Sequence, residues 1–244
     1  MILVRPEDLI HKVWLLRLLT EIIDSDYLSQ NLYFKGGTAA SMLGFLDRFS
    51  VDLDFDLKKG GNKERIRKQF YQIFKKIDLK IYYENPKNLL FSLKYSANKD
   101  QRNTIRLSIT DELYKNNIYI PKYLPEIDRI VNCQTIETMF AHKMVAVIDR
   151  FAKYKAVAGR DIYDIHHFLI SGYNYSKDII EERTNFSLKD FLQKLISFIE
   201  KYLTQTIINQ DLNTLLPQDI FQKIRKRLKT ETLMLLKQEL KKYE

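Results

Sequence analysis

Cysteine, glycine and proline are scarce in this 244-residue chain, which has one Cys, seven Gly and five Pro. The single cysteine, Cys133, excludes an internal disulfide framework and a metal centre built from several cysteines. Few Gly and Pro, with 45% hydrophobic and 29% charged residues, are typical of a packed chain and not of a disordered or fibrous one. No apolar run approaches membrane-spanning length, and Arg5, Glu7 and Asp8 come too early for a secretory signal. We therefore expect a soluble, cytoplasmic protein.

Positive charge is concentrated in two segments of a chain whose formal net charge is +9. Residues 58–80 carry nine basic and two acidic side chains (net +7), and residues 221–244 carry eight basic and three acidic ones (net +5). Such segments can bind a polyanion through phosphate contacts, although solvated lysine-rich helix faces give the same count. The candidate nucleic-acid-binding residues are Lys63, Arg65, Arg67, Lys68, Lys223, Arg225 and Arg227.

Hydrophobic periodicity predicts both helices and strands in the N-terminal half of the chain. Residues 6–24 have helical periodicity, with Leu9, Val13, Leu16 and Ile23 predicted on the buried face. Two further helices are predicted at 38–45 and 63–77, the second with an apolar stripe of Ile66, Phe70, Ile73, Phe74 and Ile77. The predicted strands are 31–34, 50–57, 79–84, 88–96 and 103–110.

Strand signals stop after about residue 132, and the rest of the chain is predicted to be helical. The predicted helices are 135–152, 160–171, 176–184, 187–203 and 217–240. We therefore expect an α+β protein with two domains, residues 1–132 and residues 133–244.

Residues 50–57 are the clearest predicted strand, because polar and apolar side chains alternate strictly. The polar set, on one strand face, is Ser50, Asp52, Asp54 and Asp56. Asp52 and Asp54 are spaced to share a divalent cation, and hard oxygen ligands suit Mg²⁺ or Mn²⁺. A one-sided strand whose polar face meets water would show the same alternation, so both interpretations stay open at this point.

Two adjacent glycines, Gly36 and Gly37, follow the predicted strand 31–34 and precede these aspartates. Glycine allows backbone amides to approach a phosphate closely, and the start of the next helix, near Thr38, adds a favourable dipole. The pattern is not a Walker A loop, because the second glycine and the Gly-Lys-Ser/Thr ending are missing. It predicts a different phosphate-binding turn, placed next to a metal-binding strand.

The segment KGGTAASMLGFLDRFSVDLDFDL (35–57) resembles the signature of AbiEii-type nucleotidyltransferases, the toxins of type IV toxin–antitoxin systems. The matching positions are Lys35, Gly36, Gly37, Thr38, Ala39, Arg48, Ser50, Asp52, Asp54 and Phe55. The resemblance implies an N-terminal DNA-polymerase-β-like nucleotidyltransferase domain, with a mixed sheet and flanking helices, followed by an α-helical C-terminal domain. It also implies that Asp52 and Asp54 hold the metal ion that carries the triphosphate. The implied nucleotide-binding residues are Gly36, Gly37, Thr38, Arg48, Ser50 and Lys143.

Two later segments resemble further motifs of this family. ETMFAHKMVAVIDR (137–150) resembles the helix with an essential lysine, here Lys143, whose neighbours one turn away are all apolar. A lysine that extends to solvent from a domain edge is the alternative. GRDIYDIHHFL (159–169) resembles the RDxxD segment, which implies that Asp161 or Asp164 is catalytic, with Asp164 favoured because Asp161 could be only a helix cap. His166 and His167 point about 100° apart on a helix and cannot share one metal ion.

One position departs from the family pattern. Polymerase-β-like enzymes usually add a third carboxylate from a neighbouring strand, and in this family it tends to lie in a run like NTIRLSIT (103–110). The matching position here is Ser108, flanked by Arg106. Asp111 could substitute if the strand extends that far, whereas Glu112 would point the other way. If neither reaches the site, we expect nucleotide binding with weakened or altered transfer.

The resemblance implies a metal-dependent enzyme that uses Mg²⁺ or Mn²⁺ and an NTP. It would move an NMP to an acceptor hydroxyl, with RNA, at a tRNA 3′ end, as the favoured acceptor and an antitoxin encoded nearby as a partner. The same site could instead modify a protein by nucleotidylation or phosphotransfer. A third reading is a catalytically impaired protein that binds nucleotide or nucleic acid.

Overall fold

The computed structural model describes residues 5–99 and 101–243. Within it, the chain divides into two compact units. The first runs to Leu113 and includes Ile118–Gln134, and the second consists of Tyr114–Asn117 and the residues from Thr135 onward. No helix in the described part of the chain is long and apolar enough to cross a membrane.

The first unit contains a seven-stranded mixed sheet with the strand order β3-β4-β5-β2-β1-β7-β6. Pairing is parallel between β1 and β7 and between β2 and β5, and antiparallel between the other neighbours. The strands are β1 (Leu32–Lys35), β2 (Asp52–Leu57), β3 (Lys80–Asn85), β4 (Leu89–Lys94), β5 (Thr104–Thr110), β6 (Tyr119–Leu124) and β7 (Arg129–Gln134).

The helices of the first unit are α1 (Leu9–Asp24), α2 (Asp26–Asn31), α3 (Gly36–Met42) and α4 (Lys63–Lys76), and a 3-10 turn (Pro6–Asp8) precedes α1. Asn62 caps α4 by accepting a hydrogen bond from the Arg65 amide at 3.0 Å. The predicted apolar stripe of α4 is confirmed, since Ile66 and Phe70 are fully buried and Phe70 and Phe74 contact Phe91 of β4. This packing covers one face of the sheet at β4.

The predicted buried face of α1 is wrong. Leu9 and Val13 are 51% and 54% exposed, and the buried residues are instead His11, Leu15, Leu18, Leu19 and Ile22. Apolar residues occupy most of the circumference of α1, so more than one stripe has helical period. Packing against the rest of the first unit decides which stripe is buried, and it buries the one that contains Leu15, Leu18, Leu19 and Ile22.

The second unit is helical. Its helices are α5 (Ile136–Tyr154), α6 (Gly159–Ile170), α7 (Lys177–Thr184), α8 (Leu188–Tyr202), α9 (Gln205–Leu212), α10 (Gln218–Ile224) and α11 (Leu228–Lys241). The hydroxyls of Thr135, Ser176 and Ser187 cap α5, α7 and α8 by accepting backbone N–H groups.

Several elements differ from the sequence prediction. The helix predicted at 217–240 is two helices, because the chain turns between Ile224 and Leu228. Short helices α2 and α9 and strands β6 and β7 were not predicted. Pro121 lies in β6, and a proline normally argues against a strand. Strand β6 is at the edge of the sheet, where proline is tolerated.

Candidate active site

The turn between β1 and α3 lies against β2, because β1 and β2 are antiparallel neighbours with Lys35 opposite Asp54. Gly36 has φ +79°, and a Cβ there would lie 2.8 Å from Asp54 Oδ2. A Cβ on Gly37 would lie 2.9 Å from Arg48 Nη2. The first glycine is therefore required by backbone conformation and by the Asp54 carboxylate, and the second by the guanidinium.

Helix α3 is held to the start of β2 by buried polar contacts. Thr38 Oγ1 lies 2.8 Å from Ser50 Oγ and also within hydrogen-bond distance of the carbonyl oxygen of Asp52. Ser41 Oγ donates to the Arg48 carbonyl at 3.0 Å. Thr38, Arg48 and Ser50 are all buried, at 1%, 4% and 7% exposure. The sequence-predicted set Gly36, Gly37, Thr38, Arg48, Ser50, Asp52 and Asp54 thus forms one cluster in the first unit.

Asp52 and Asp54 lie on the polar face of β2, and both are partly exposed, whereas Leu53 and Phe55 on the other face are fully buried. In the parallel register with β5, Asp52 is opposite Arg106, and Asp54 is opposite Ser108. Side chains opposite each other in a register point to the same side of a sheet. Ser108 therefore occupies the position beside Asp54 where a third carboxylate was considered.

Neither nearby acid extends β5, which ends at Thr110. Asp111 follows the strand and forms an ion pair with Lys63. This hydrogen bond with Lys63 lowers the pKa of Asp111 below its ordinary value, in spite of an opposing effect of burial. Glu112 is exposed and lies outside any strand.

Asp56 is a site-adjacent residue that sequence reasoning did not select. It is 1% exposed and accepts from three donors: Lys35 Nζ at 2.5 Å, Tyr119 Oη at 2.8 Å and Gln134 Nε2 at 2.6 Å. A sequence signal for Asp56 was present, because it continues the polar–apolar alternation that contains Asp52 and Asp54. Asp56 is therefore a structural anion that holds Lys35 on the face of the sheet that also carries Asp54.

The donor set suits a metal ion that arrives with a nucleotide. In residues 5–99 and 101–243, no group of three or more His, Cys, Asp or Glu side chains is arranged to hold a metal ion. Mg²⁺ is commonly held by one or two carboxylates together with substrate phosphates and water. Asp52 and Asp54 fit that pattern, because they are adjacent, partly exposed carboxylates on one strand face.

In the second unit, Lys143 of α5 lies between two aspartates of α6. Lys143 Nζ is 2.9 Å from Asp161 Oδ1 and 3.0 Å from Asp164 Oδ2, and Arg150 Nε is 3.1 Å from Asp161 Oδ2. Asp161 and Asp164 are 1% and 0% exposed. Burial raises the pKa of Asp161, but Lys143 and Arg150 outweigh it and lower the pKa to about 2.

The contacts in this cluster exclude two alternatives that the sequence left open: Asp161 as only a helix cap, and Lys143 as a lysine that extends to solvent. Asp161 is not the cap of α6, whose N-cap is Ala158, without a side-chain hydrogen bond. Lys143 does not extend to solvent, since its side chain is 18% exposed and paired with two carboxylates. Arg150 was missed by sequence reasoning, although it lies two turns after Lys143 on α5, where it faces the same helix.

Of the two adjacent histidines of α6, His166 makes a contact with α11. His166 is buried and its Nε2 lies 3.0 Å from Glu231 Oε2 of α11. Burial lowers its pKa, against the opposing effect of Glu231. This contact ties α6 to α11.

Most of the predicted nucleic-acid-binding cations have intramolecular partners. Lys63 pairs with Asp111, and Arg67 pairs with Glu84. The other contacts are Arg65 over the ring of Tyr27, Arg225 over Phe221, Arg227 with Glu231 at 3.3 Å, and Lys223 with Asp219 at 4.0 Å, while Lys68 is exposed. Four of these seven cations therefore already have an acidic partner.

The chain matches a known protein family. The model of the family described as "Nucleotidyl transferase AbiEii toxin, Type IV TA system" matches residues 17–232. Among curated proteins, none matches the chain.

Solved structures with a similar fold include the following two. JHP933 from Helicobacter pylori aligns with a TM-score of 0.57 at 18% identity, covering 99% of this chain and 96% of that one. MenT4, a nucleotidyltransferase toxin from Mycobacterium tuberculosis, aligns with a TM-score of 0.52 at 16% identity, covering 95% of this chain and 85% of that one. The α+β fold predicted from the sequence, with a mixed sheet and a helical C-terminal part, is confirmed.

Proposed function

Because this chain belongs to the AbiEii nucleotidyltransferase toxin family of type IV toxin–antitoxin systems, we propose that it transfers an NMP from an NTP to a hydroxyl of RNA, at a tRNA 3′ end. Family membership makes it a nucleotidyltransferase and implies a nucleotide substrate and an antitoxin partner. The metal ion, the acceptor and the roles of individual residues are the proposed part. The observation that carries the proposal is the contact of the Gly36-Gly37 turn with Asp54 and Arg48.

In the proposed reaction, the acceptor hydroxyl attacks the α-phosphorus of the NTP. A new P–O bond forms, the bond between the α-phosphorus and the bridging oxygen to the β-phosphate breaks, and pyrophosphate leaves. A bound Mg²⁺ or Mn²⁺ would polarise the phosphates and neutralise developing charge. Asp52 and Asp54 would hold that ion, since they are the partly exposed carboxylates of β2.

The turn residues bind the triphosphate in this proposal. The backbone amides of Gly36 and Gly37 can approach a phosphate closely because neither residue has a Cβ. Arg48 is buried, and its Nη2 lies 2.9 Å from the position that a Gly37 Cβ would take, so its charge is presented at the turn. Thr38 and Ser50 position that turn through their contact at 2.8 Å.

In the second unit, the cluster around Lys143 holds this lysine in a fixed position. Lys143 is oriented by Asp161 and Asp164 at 2.9 and 3.0 Å. We assign Lys143 to stabilising phosphate charge, Asp164 to catalysis and Asp161 to holding Lys143 and Arg150. Asp161 suits this role because the charges of Lys143 and Arg150 outweigh its burial and lower its pKa to about 2.

The test is transfer of label from each α-labelled NTP in the presence of Mg²⁺ or Mn²⁺ and total tRNA. The wild type is compared with Asp52→Asn/Asp54→Asn. The matched control is Asp78→Asn/Asp128→Asn, which removes two exposed carboxylates of the same unit at positions with φ +58° and +54°, where asparagine is well tolerated.

We expect label on RNA with the wild type and the control, and none with Asp52→Asn/Asp54→Asn. The labelled NTP that gives transfer identifies the base that the site selects. Label on protein and none on RNA would overturn RNA as the acceptor and leave the enzyme a protein-modifying nucleotidyltransferase. Folded protein that binds NTP but releases no pyrophosphate would overturn transfer by this site, and Ser108 beside Asp54 would be the residue to replace with Asp next.

A further inference from the structure

The half of the sheet beyond β5 carries an unusual set of exposed side chains. We call the sheet face that carries Asp52 and Asp54 the open face. At its far edge, on β3, Tyr82 is 68% exposed and Tyr83 is 51% exposed. Every residue of Lys80–Tyr83 is exposed, although β3 is a strand of the sheet. Packing within the first unit does not account for aromatic side chains at these positions.

Strand register connects this edge to the metal-binding aspartates. Asp52 of β2 is opposite Arg106 of β5, Arg106 is opposite Ser92 of β4, and Ser92 is opposite Tyr83 of β3. Residues opposite each other share a face, so these four side chains form one row across the open face. Neighbouring strands are about 4.8 Å apart, which makes the row about 14 Å long from β2 to β3.

A bulge adds a second tyrosine to the end of this row. The register between β3 and β4 shifts between Ile81 and Tyr83, so Tyr82 is an extra residue without a partner in the register. Bulges re-aim side chains. Tyr82 turns to the open face, since Lys94 Nζ, on that face, lies 4.1 Å from its ring centroid. Both tyrosines thus face the same side of the sheet, and Tyr82 lies beside a cation.

Three cations lie in or beside the row. Lys80 is opposite Lys94 in the register, and Arg106 is exposed on β5, between Asp52 on β2 and Ser92 on β4. Arg106 is opposite the acidic Asp52 on β2, whereas no acidic side chain lies opposite Lys80 or Lys94 on β3, β4 or β5. Exposed aromatic rings interleaved with cations are the arrangement that binds single-stranded nucleic acid, because bases stack on the rings while cations contact phosphates.

We propose that Tyr82, Tyr83, Lys94 and Arg106 bind the single-stranded end of an RNA acceptor and direct it along the row toward Asp52. This assignment rests on the proposed function, whose acceptor is RNA. It places RNA on the open face and not on α4, where Lys63 and Arg67 are already paired with Asp111 and Glu84. A protein strand added to the edge of β3 is the competing occupant, but it would use backbone groups and gain nothing from the cations.

The experiment measures binding of a short fluorescent single-stranded RNA to the full-length protein, without NTP, by anisotropy at several salt concentrations. Tyr82→Ala/Tyr83→Ala removes both rings, and Tyr82→Phe/Tyr83→Phe keeps them. The matched control is Tyr123→Ala/Tyr154→Ala, which removes two other tyrosines that are more than half exposed.

We expect the Ala pair to weaken binding about 5- to 150-fold, which is the range for loss of one stacked base. The Phe pair and the control should stay within about twofold of wild type, since stacking uses only the ring. Arg106→Gln should weaken binding and reduce the slope of log affinity against log salt by about 0.7, the value for one phosphate contact on a single strand.

Three results would overturn the assignment: no RNA binding by the wild type, unchanged affinity in the Ala pair, or equal losses in the Ala and Phe pairs. Unchanged RNA affinity together with loss of binding to the antitoxin would assign the β3 edge to a protein. The two proposals fail separately. RNA bound through these tyrosines without label transfer removes the proposed reaction alone, and label transfer to RNA with unchanged RNA affinity in the Ala pair removes the RNA surface alone.

Discussion

The close approach of the Gly36 backbone to Asp54 predicts the effect of adding a single methyl group at Gly36. Gly36→Ala adds a Cβ at a residue with φ +79° and places it 2.8 Å from Asp54 Oδ2. The backbone strain costs about 1–2 kcal/mol of unfolding free energy. The contact itself is too short to persist, so the Asp54 carboxylate or the turn must shift.

Gly44 separates these two effects. It has nearly the same backbone angle, φ +78°, but a Cβ there would have no atom within 4 Å. Gly44→Ala should therefore cost about the same 1–2 kcal/mol of stability. Only Gly36→Ala should also displace Asp54, and a displacement approaching 1 Å at a reacting centre costs about 100-fold in rate. We expect Gly36→Ala to lower label transfer about 10- to 100-fold, and Gly44→Ala to leave it near the wild-type value.

The assay is the initial rate of label transfer at a temperature where both variants are folded, as checked by circular dichroism, together with urea denaturation of each. Wild-type activity in Gly36→Ala would refute the assignment of Asp54 and its turn to the reaction. An equal loss of activity in Gly44→Ala would show that backbone strain in this region, and not the contact with Asp54, is responsible.

The remaining predictions concern stability and are measured by urea denaturation. Asp161→Asn should cost about 2–3 kcal/mol at neutral pH, because the folded pKa of Asp161 is about 2 against an ordinary 3.8. The ionised form stabilises the fold above the ordinary pKa, so the difference from wild type should shrink as the pH falls from about 4 toward 2; an equal difference at pH 7 and pH 3 would contradict an ionic origin. The exposed Asp178→Asn should cost less than about 1 kcal/mol at either pH. Thr38→Val should cost about 1–3 kcal/mol through its lost buried hydrogen bonds, and Thr38→Ser should restore most of that loss; equal stability of both variants would show that the hydroxyl is not the cause. Asp56→Asn should cost about 3 kcal/mol, because it leaves the Lys35 ammonium without its buried counterion, and an unfolding curve equal to that of wild type would refute this anchoring role.

Local patterns in the sequence were enough to predict the central elements. Strand β2 follows from strict alternation, and helix α4 follows from a strong apolar stripe, since both signals arise within a few residues. The Gly-Gly turn next to an Asp-x-Asp strand was recognisable for the same reason. All of its candidate residues lie within 36–54, so short-range geometry already brings them together.

Other features depend on partners far away in the sequence. The buried face of α1 could not be assigned, because its apolar residues surround most of the helix and only packing selects one stripe. Strand β6 is stabilised by pairing with β7 at the edge of the sheet, which overrides the weak propensity of a segment containing Pro121.

The charges show the same division most clearly. The composition gives the number of cations, and the sequence shows that residues 58–80 and 221–244 contain an excess of them. Folding then pairs Lys63 and Arg67 with acids from other strands or loops, and it encloses Asp56 among donors from three different strands. A counterion within a few ångströms weakens the field that a cation presents to a ligand, and the fold alone sets those distances.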